Sequence, residues 1–94
     1  MATLKSVQLR VFKIEGFNVV VRHRYTGRNA RDDMKNIKQY QYSRMAKNDY
    51  TVSQWKRHRF QVAYPGFMVD VIDDTGHVCN GNTKLGNVRD TYLD

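Results

Sequence analysis

Val7-Gln8-Leu9-Arg10-Val11-Phe12-Lys13-Ile14-Glu15-Gly16-Phe17-Asn18-Val19-Val20-Val21-Arg22-His23-Arg24-Tyr25 is the stretch whose reading decides the fold. Its Val- and Phe-rich runs on either side of Glu15-Gly16 predict two strands, Val7 to Ile14 and Phe17 to Tyr25, joined by a two-residue loop. In that register Ile14 faces Phe17, Phe12 faces Val19 and Arg10 faces Val21, so Phe12, Ile14, Phe17, Val19 and Val21 form the core side. The opposite side mixes Val7, Leu9, Val11 and Val20 with Lys13, Arg22 and Arg24. Glu15-Gly16 is a weaker turn signal than Asn-Gly, so a longer loop also fits.

Downstream, Thr26 to Asp49 has mixed periodicity: Met34, Ile37 and Gln41 share a helical face, whereas Lys38, Tyr40 and Tyr42 alternate as in a strand. A short helix over Asp32 to Tyr40 followed by loop is the expectation, with Gly27, Asn29 and Asp32-Asp33 supplying turn and first-turn chemistry. Thr51-Val52-Ser53-Gln54 is a capping box, with Tyr50 and Trp55 at the positions of a hydrophobic staple. The helix it starts should run from Val52 to about Ala63, because Pro65-Gly66 forbids continuation. Val52, Trp55, Val62 and Ala63 would share its buried side, with Phe60 at the edge and Arg59 anomalously in the middle. A guanidinium there is tolerated only if it snorkels outward or pairs with a carboxylate, for which Asp70 and Asp73 are the expected candidates.

Phe67 to Ile72 alternates as a strand, Asp73-Asp74-Thr75-Gly76 is a strong turn, and His77-Val78-Cys79 should return antiparallel. Asn80-Gly81-Asn82 breaks it, and Leu85, Val88 and Tyr92 mark a last helix. The expected order is β-β-α-α-β-β-α, an α+β fold with an antiparallel sheet packed by the capped helix and the C-terminal helix.

The 94 residues suffice for one domain, spanning 1–94, with a single core and no metal or disulfide. A single cysteine, Cys79, cannot form an intramolecular disulfide, and neither a signal peptide nor a membrane span is legible, so a cytoplasmic protein is expected. Charge divides this domain in two. Residues 1–66 hold 14 Lys and Arg against four acidic residues, a net +10, whereas the hairpin-helix region 67–94 carries net −3.

Little in the chain suggests catalysis or a cofactor. His77-x-Cys79 would put two zinc donors on one face of a hairpin, but a four-ligand site would need both His23 and His58 as well. Asp70, Asp73 and Asp74 lack the calcium-loop pattern. Cys79 has only His77 as a sequence-adjacent base. Gly81-Asn82-Thr83-Lys84 precedes a helix and could offer amides to a phosphate, but lacks the P-loop order and reads better as a turn and cap. No enzyme, metal or cofactor is therefore expected.

What remains is a basic and aromatic set: Arg22, Arg24, Arg28, Arg31, Lys35, Lys38, Arg44, Lys47, Lys56 and Arg57, interleaved with Tyr25, Tyr40 and Tyr42. Cations beside such rings suit phosphates and exposed bases. The competing reading is a solvated basic face with tyrosines at the core edge. No RNP, KH or helix-turn-helix pattern is present. Two functions follow as expectations: a small non-enzymatic nucleic-acid-binding or nucleoprotein-associated protein, or a small regulator or inhibitor of the kind phages and mobile elements encode, docking on an acidic partner protein.

Overall fold

The computed structural model describes residues 2–31 and 33–93, and in it the first half of the deciding stretch is a helix, α1 (Leu4–Glu15). Thr3 caps it by accepting the Ser6 amide at 3.2 Å. Leu4, Val7, Val11 and Glu15 point inward at helical spacing, while Leu9 and Phe12 are exposed. The expected hairpin is thus overturned. β-branched Val7, Val11 and Ile14 favour strand locally, but burying one stripe of a capped helix satisfies both backbone and core. Gly16 is not a hairpin turn but the left-handed end of α1, at φ 84°, with its N–H on the Phe12 carbonyl.

The second half is a strand as expected, β1 (Asn18–His23). Its ladder partner is β2 (Phe67–Ile72), antiparallel, with Val19 opposite Val71 and Val21 opposite Val69. Those four valines are buried beneath α1 and the capped helix. The Asp73–Gly76 turn forms, with Asp73 Oδ1 accepting the Thr75 and His77 amides at 2.9 and 3.0 Å. The returning segment makes one bridge, Val78 to Ile72, flanked by two bonds, Asp73 N–H to His77 C=O and Cys79 N–H to Val71 C=O, instead of a full strand.

The capping box closes as expected: Gln54 N–H reaches Thr51 Oγ1 at 3.2 Å and Gln54 Oε1 accepts the Thr51 amide at 2.8 Å. From it starts α2 (Val52–Trp55), which widens into a π turn over Lys56–Phe60, with Gln61 N–H donating to Lys56 C=O. That turn corrects the expected helix face. At the α-helical period residues five apart point to different sides, yet Trp55 and Phe60 are both fully buried with ring centroids 5.9 Å apart. Val62, assigned to the core, is 72% exposed. The last helix, α3 (Leu85–Asp90), buries Leu85 and Val88 as expected. Beyond it Tyr92 inserts its hydroxyl into the end of the ladder, accepting from Asn18 N–H at 3.0 Å and donating to Ile72 C=O at 2.5 Å.

The expected helix near Asp32–Tyr40 is absent among the described residues, Asp32 itself lying outside them. Instead Met34 and Ile37 lie against the N-terminal segment, with Leu4 N–H on Met34 C=O and a bridge between Ala2 and Ile37. Backbone partners were available there without a helix. The element order is α-β-α-β-α, an α+β fold with one antiparallel ladder and one contiguous core.

Candidate nucleic-acid interface

The basic residues sort into two sets, and Glu15 makes the division. At the inner end of α1 it is completely buried, a cost that only dense pairing offsets. Tyr40 Oη donates to it at 2.5 Å, Ala46 N–H at 2.9 Å, Arg59 Nη1 at 2.7 Å and Arg89 Nη2 at 3.2 Å. Arg89 also holds the Glu15 main-chain carbonyl through Nε and Asn48 Oδ1 through Nη1. Trp55 Nε1 donates to Tyr40 Oη, closing the network inside the core.

The ionisation of these groups follows their surroundings. Burial first, and then the Glu15 carboxylate, push the Tyr40 hydroxyl far above its ordinary range. Burial works against the Arg59 cation, but Glu15 and Tyr40 together outweigh it and Arg59 is held above its usual value. Arg89 is moved down, by burial first, with Arg59 repelling it and Glu15 acting the other way. Arg59 thus pairs with a carboxylate, one of the two courses open to it against apolar surface. The partner is Glu15 and not Asp70 or Asp73, because the π turn swings the side chain toward α1. Asp70 instead takes Arg22 from the neighbouring strand, Nε to Oδ2 at 2.7 Å.

Arg22, Arg31, Arg59 and Arg89 are the cations in ion pairs among the described residues, Arg31 with Asp33 on the surface. Of the others, Arg24 and Arg28 stand at one place and Arg44 and Lys47 at a second. One is the turn that follows β1, where Tyr25 is 92% exposed between Arg24 and Arg28, both exposed. Gly27 N–H returns to His23 C=O and His23 N–H to Arg28 C=O, fixing this tip. Arg24 Nη1 donates to Pro65 C=O, and the neighbouring Tyr64 Oη donates to the Lys38 carbonyl at 2.6 Å. Burial raises the Tyr64 hydroxyl to about 12.

The second place is a hollow of about 290 Å³ beside the π turn, walled by Arg44, Met45, Lys47, Tyr50 and Arg59 over Ala46. Tyr42 lies under the Arg59 guanidinium, 4.3 Å from ring centroid to carbon, and its hydroxyl reaches His58 C=O at 3.4 Å. The exposed His58 ring is 6.3 Å from that of Tyr50. Arg59 Nη1 also donates to the Arg44 carbonyl at 2.5 Å, so the residue that neutralises Glu15 fixes the hollow's rim. From Met34 to Val69 the chain holds seven cations and one carboxylate, Asp49.

The residues picked out by sequence are therefore not one surface. Arg24 and Arg28 belong to the tip and Arg44 and Lys47 to the hollow, while Tyr42 is half-buried under the Arg59 guanidinium and Lys38 is exposed in the irregular segment. Arg57 is exposed on the π turn, Lys35 is exposed in the irregular segment, and Lys56 is half-buried near enough to Cys79 to act on its thiol. Tyr40 is corrected outright. Its ring is in the core and cannot stack on a base. Met45 and His58 were not picked out, and Tyr50 only as the staple of the capped helix, because no local pattern ties the π turn that carries His58 and Arg59 to the Arg44–Tyr50 segment.

The other chemical candidates are accounted for internally. Leu85 N–H is taken by Tyr50 C=O and Gly86 N–H by Asn48 C=O, so the loop before α3 braces the capped helix. Burial, and then the Asp73 carboxylate, push the Cys79 thiol up, away from a reactive thiolate. Among the described residues no three of His, Cys, Asp and Glu gather as a metal-ligand set, and no helix is long and apolar enough to cross a membrane. Comparisons with protein-family models, curated proteins and solved structures find no match for this chain.

Proposed function

We propose that this protein is a small non-enzymatic nucleic-acid-binding protein that meets phosphates through the β1 tip and the hollow beside the π turn. One observation carries the reading. Arg24, Arg28, Lys38, Arg44, Lys47 and Arg57 are exposed, none is in an ion pair among the described residues, and accessible Tyr25, Tyr42 and His58 rings lie among them. Unpaired cations release counterions from a polyphosphate on contact, and aromatic rings beside them accept unstacked bases without reading sequence. The paired cations inside the protein have no such role.

Fluorescence anisotropy with a mixed-sequence single-stranded oligonucleotide and its duplex tests the proposal. Binding should fall by orders of magnitude between about 50 and 200 mM salt. Tyr25→Ala should cost about 1–3 kcal/mol on the single strand if its ring stacks on a base. Absence of binding to either at low salt would sink the reading and leave an acidic protein as the partner of these cations.

A further inference from the structure

A different feature lies on the opposite flank of β1. Its residues alternate in backbone direction: Asn18, Val20 and Arg22 face β2 across the ladder, while Val19, Val21 and His23 turn their N–H and C=O groups to the outer edge. The chain after the strand covers part of that edge. His23 N–H donates to Arg28 C=O at 2.8 Å and Ala30 N–H to Val21 C=O at 2.9 Å, flanking a bridge between Arg22 and Asn29. Past Ala30 the chain departs to meet the N-terminal segment at Met34. This leaves the Val19 N–H and C=O and the Val21 N–H with no partner among the described residues.

These groups border a groove of about 390 Å³ between α1 and the strand. Lys5, Gln8 and Leu9 form its helix wall, and Leu9 is 60% exposed. Ala30 and Ile72 line it from the strand side, and no carboxylate does. An open strand edge is a template for another strand, and main-chain bonds made in a groove give affinity that a neighbouring apolar pocket makes selective.

We infer that this edge takes an extended acidic segment of a partner protein by strand addition, continuing the row that Arg28 to Ala30 begin. The backbone of the segment would bond Val19 and an apolar side chain would sit against Leu9. Charge identifies the occupant. Lys5 stands in the wall, exposed Arg28 stands at the start of the stub outside any ion pair among the described residues, and a second copy of this chain would bring its own net +7 to the contact.

The test uses the full chain, isotope-labelled, titrated with a short capped peptide alternating Glu and Val and with its Lys-for-Glu counterpart. The Glu peptide should shift the Val19 to Val21 amide resonances and slow hydrogen exchange at Val19, and the Lys peptide should not. Leu9→Asp and Lys5→Glu, both at exposed positions, should each weaken the Glu peptide by roughly two- to fivefold, the range of a single side-chain contact across a strand pair, with the thermal melt unchanged. The inference is overturned if the Glu peptide shifts nothing, if its shifts centre on Tyr25 or Lys47, or if sedimentation shows a dimer protecting the same amides without peptide.

Discussion

The centre around Glu15 and the hollow beside the π turn use the same residue types to opposite ends. In the first, one carboxylate collects two guanidiniums, a tyrosine hydroxyl and a backbone amide, and every charge is answered. In the second, Arg44 and Lys47 stand at the surface beside Tyr50 with no carboxylate in the wall. Arg59 belongs to both, its guanidinium bonded to Glu15 on one side and to the Arg44 carbonyl on the other. Net charge alone therefore overstates the cations free to meet a ligand. Burial separates the extremes: Arg59 and Arg89 pair where desolvation demands it, Arg31 pairs with Asp33 on the surface without that demand, and Arg44 and Lys47 stand in water outside any ion pair among the described residues.

The sharpest way to break this contrast is Glu15→Ala. It leaves Arg59 and Arg89 partly buried without their counter-charge, and chemical denaturation should show a loss of about 3–5 kcal/mol. A loss within experimental error would mean that the network is incidental to the fold. Tyr40→Phe is the milder probe. Removing the hydroxyl that donates to Glu15 and accepts from Trp55 should cost about 1–3 kcal/mol, with oligonucleotide affinity unchanged because the ring is buried. An affinity loss without a stability loss would place Tyr40 on the surface.

Alkaline titration follows from the same burial. Tyr40 and Tyr64 are both raised in the folded protein, so folding favours their protonated forms. Their contribution is complete below the ordinary tyrosine range near about 10 and is lost as pH rises toward the folded value, about 12 for Tyr64. Denaturant midpoints should fall above pH 10 or so, together with appearance of the tyrosinate absorbance; flat midpoints through that window would contradict the burial of both hydroxyls. A smaller effect separates local from tertiary stabilisation. Thr51→Ala opens the capping box and should cost about 1 kcal/mol, measured by the same denaturation, without altering the Glu15 network.

These contrasts also show what the amino-acid order discloses. The capped helix, β2, the Asp73 turn and the last helix are legible because each has a short-range cause: Thr51 with Gln54, the alternation Phe67-Val69-Val71, the side-chain bonds of Asp73, the spacing of Leu85 and Val88. The helix α1 is not, because the stripe Leu4, Val7, Val11 ends in a carboxylate that only its distant partners Tyr40, Arg59 and Arg89 render buriable. The same cause hides the site. Arg59 stands out in sequence as a cation on an apolar helix side, but its partner does not, because the π turn directs it to the distant Glu15. Tyr25 and Tyr40 look alike, yet one is on the tip and the other inside the core.

The most direct measurement of the central claim is the dependence of log K on log salt for a single-stranded oligonucleotide, compared between the wild-type protein and Arg44→Ala/Lys47→Ala/Arg57→Ala. All three residues are exposed and outside ion pairs among the described residues. The variant should keep its stability to within about 0.5 kcal/mol per substitution, while the salt slope becomes shallower by about two to three units. An unchanged slope, or a wild-type protein that binds no oligonucleotide at about 50 mM salt, would contradict the assignment of these cations to nucleic acid.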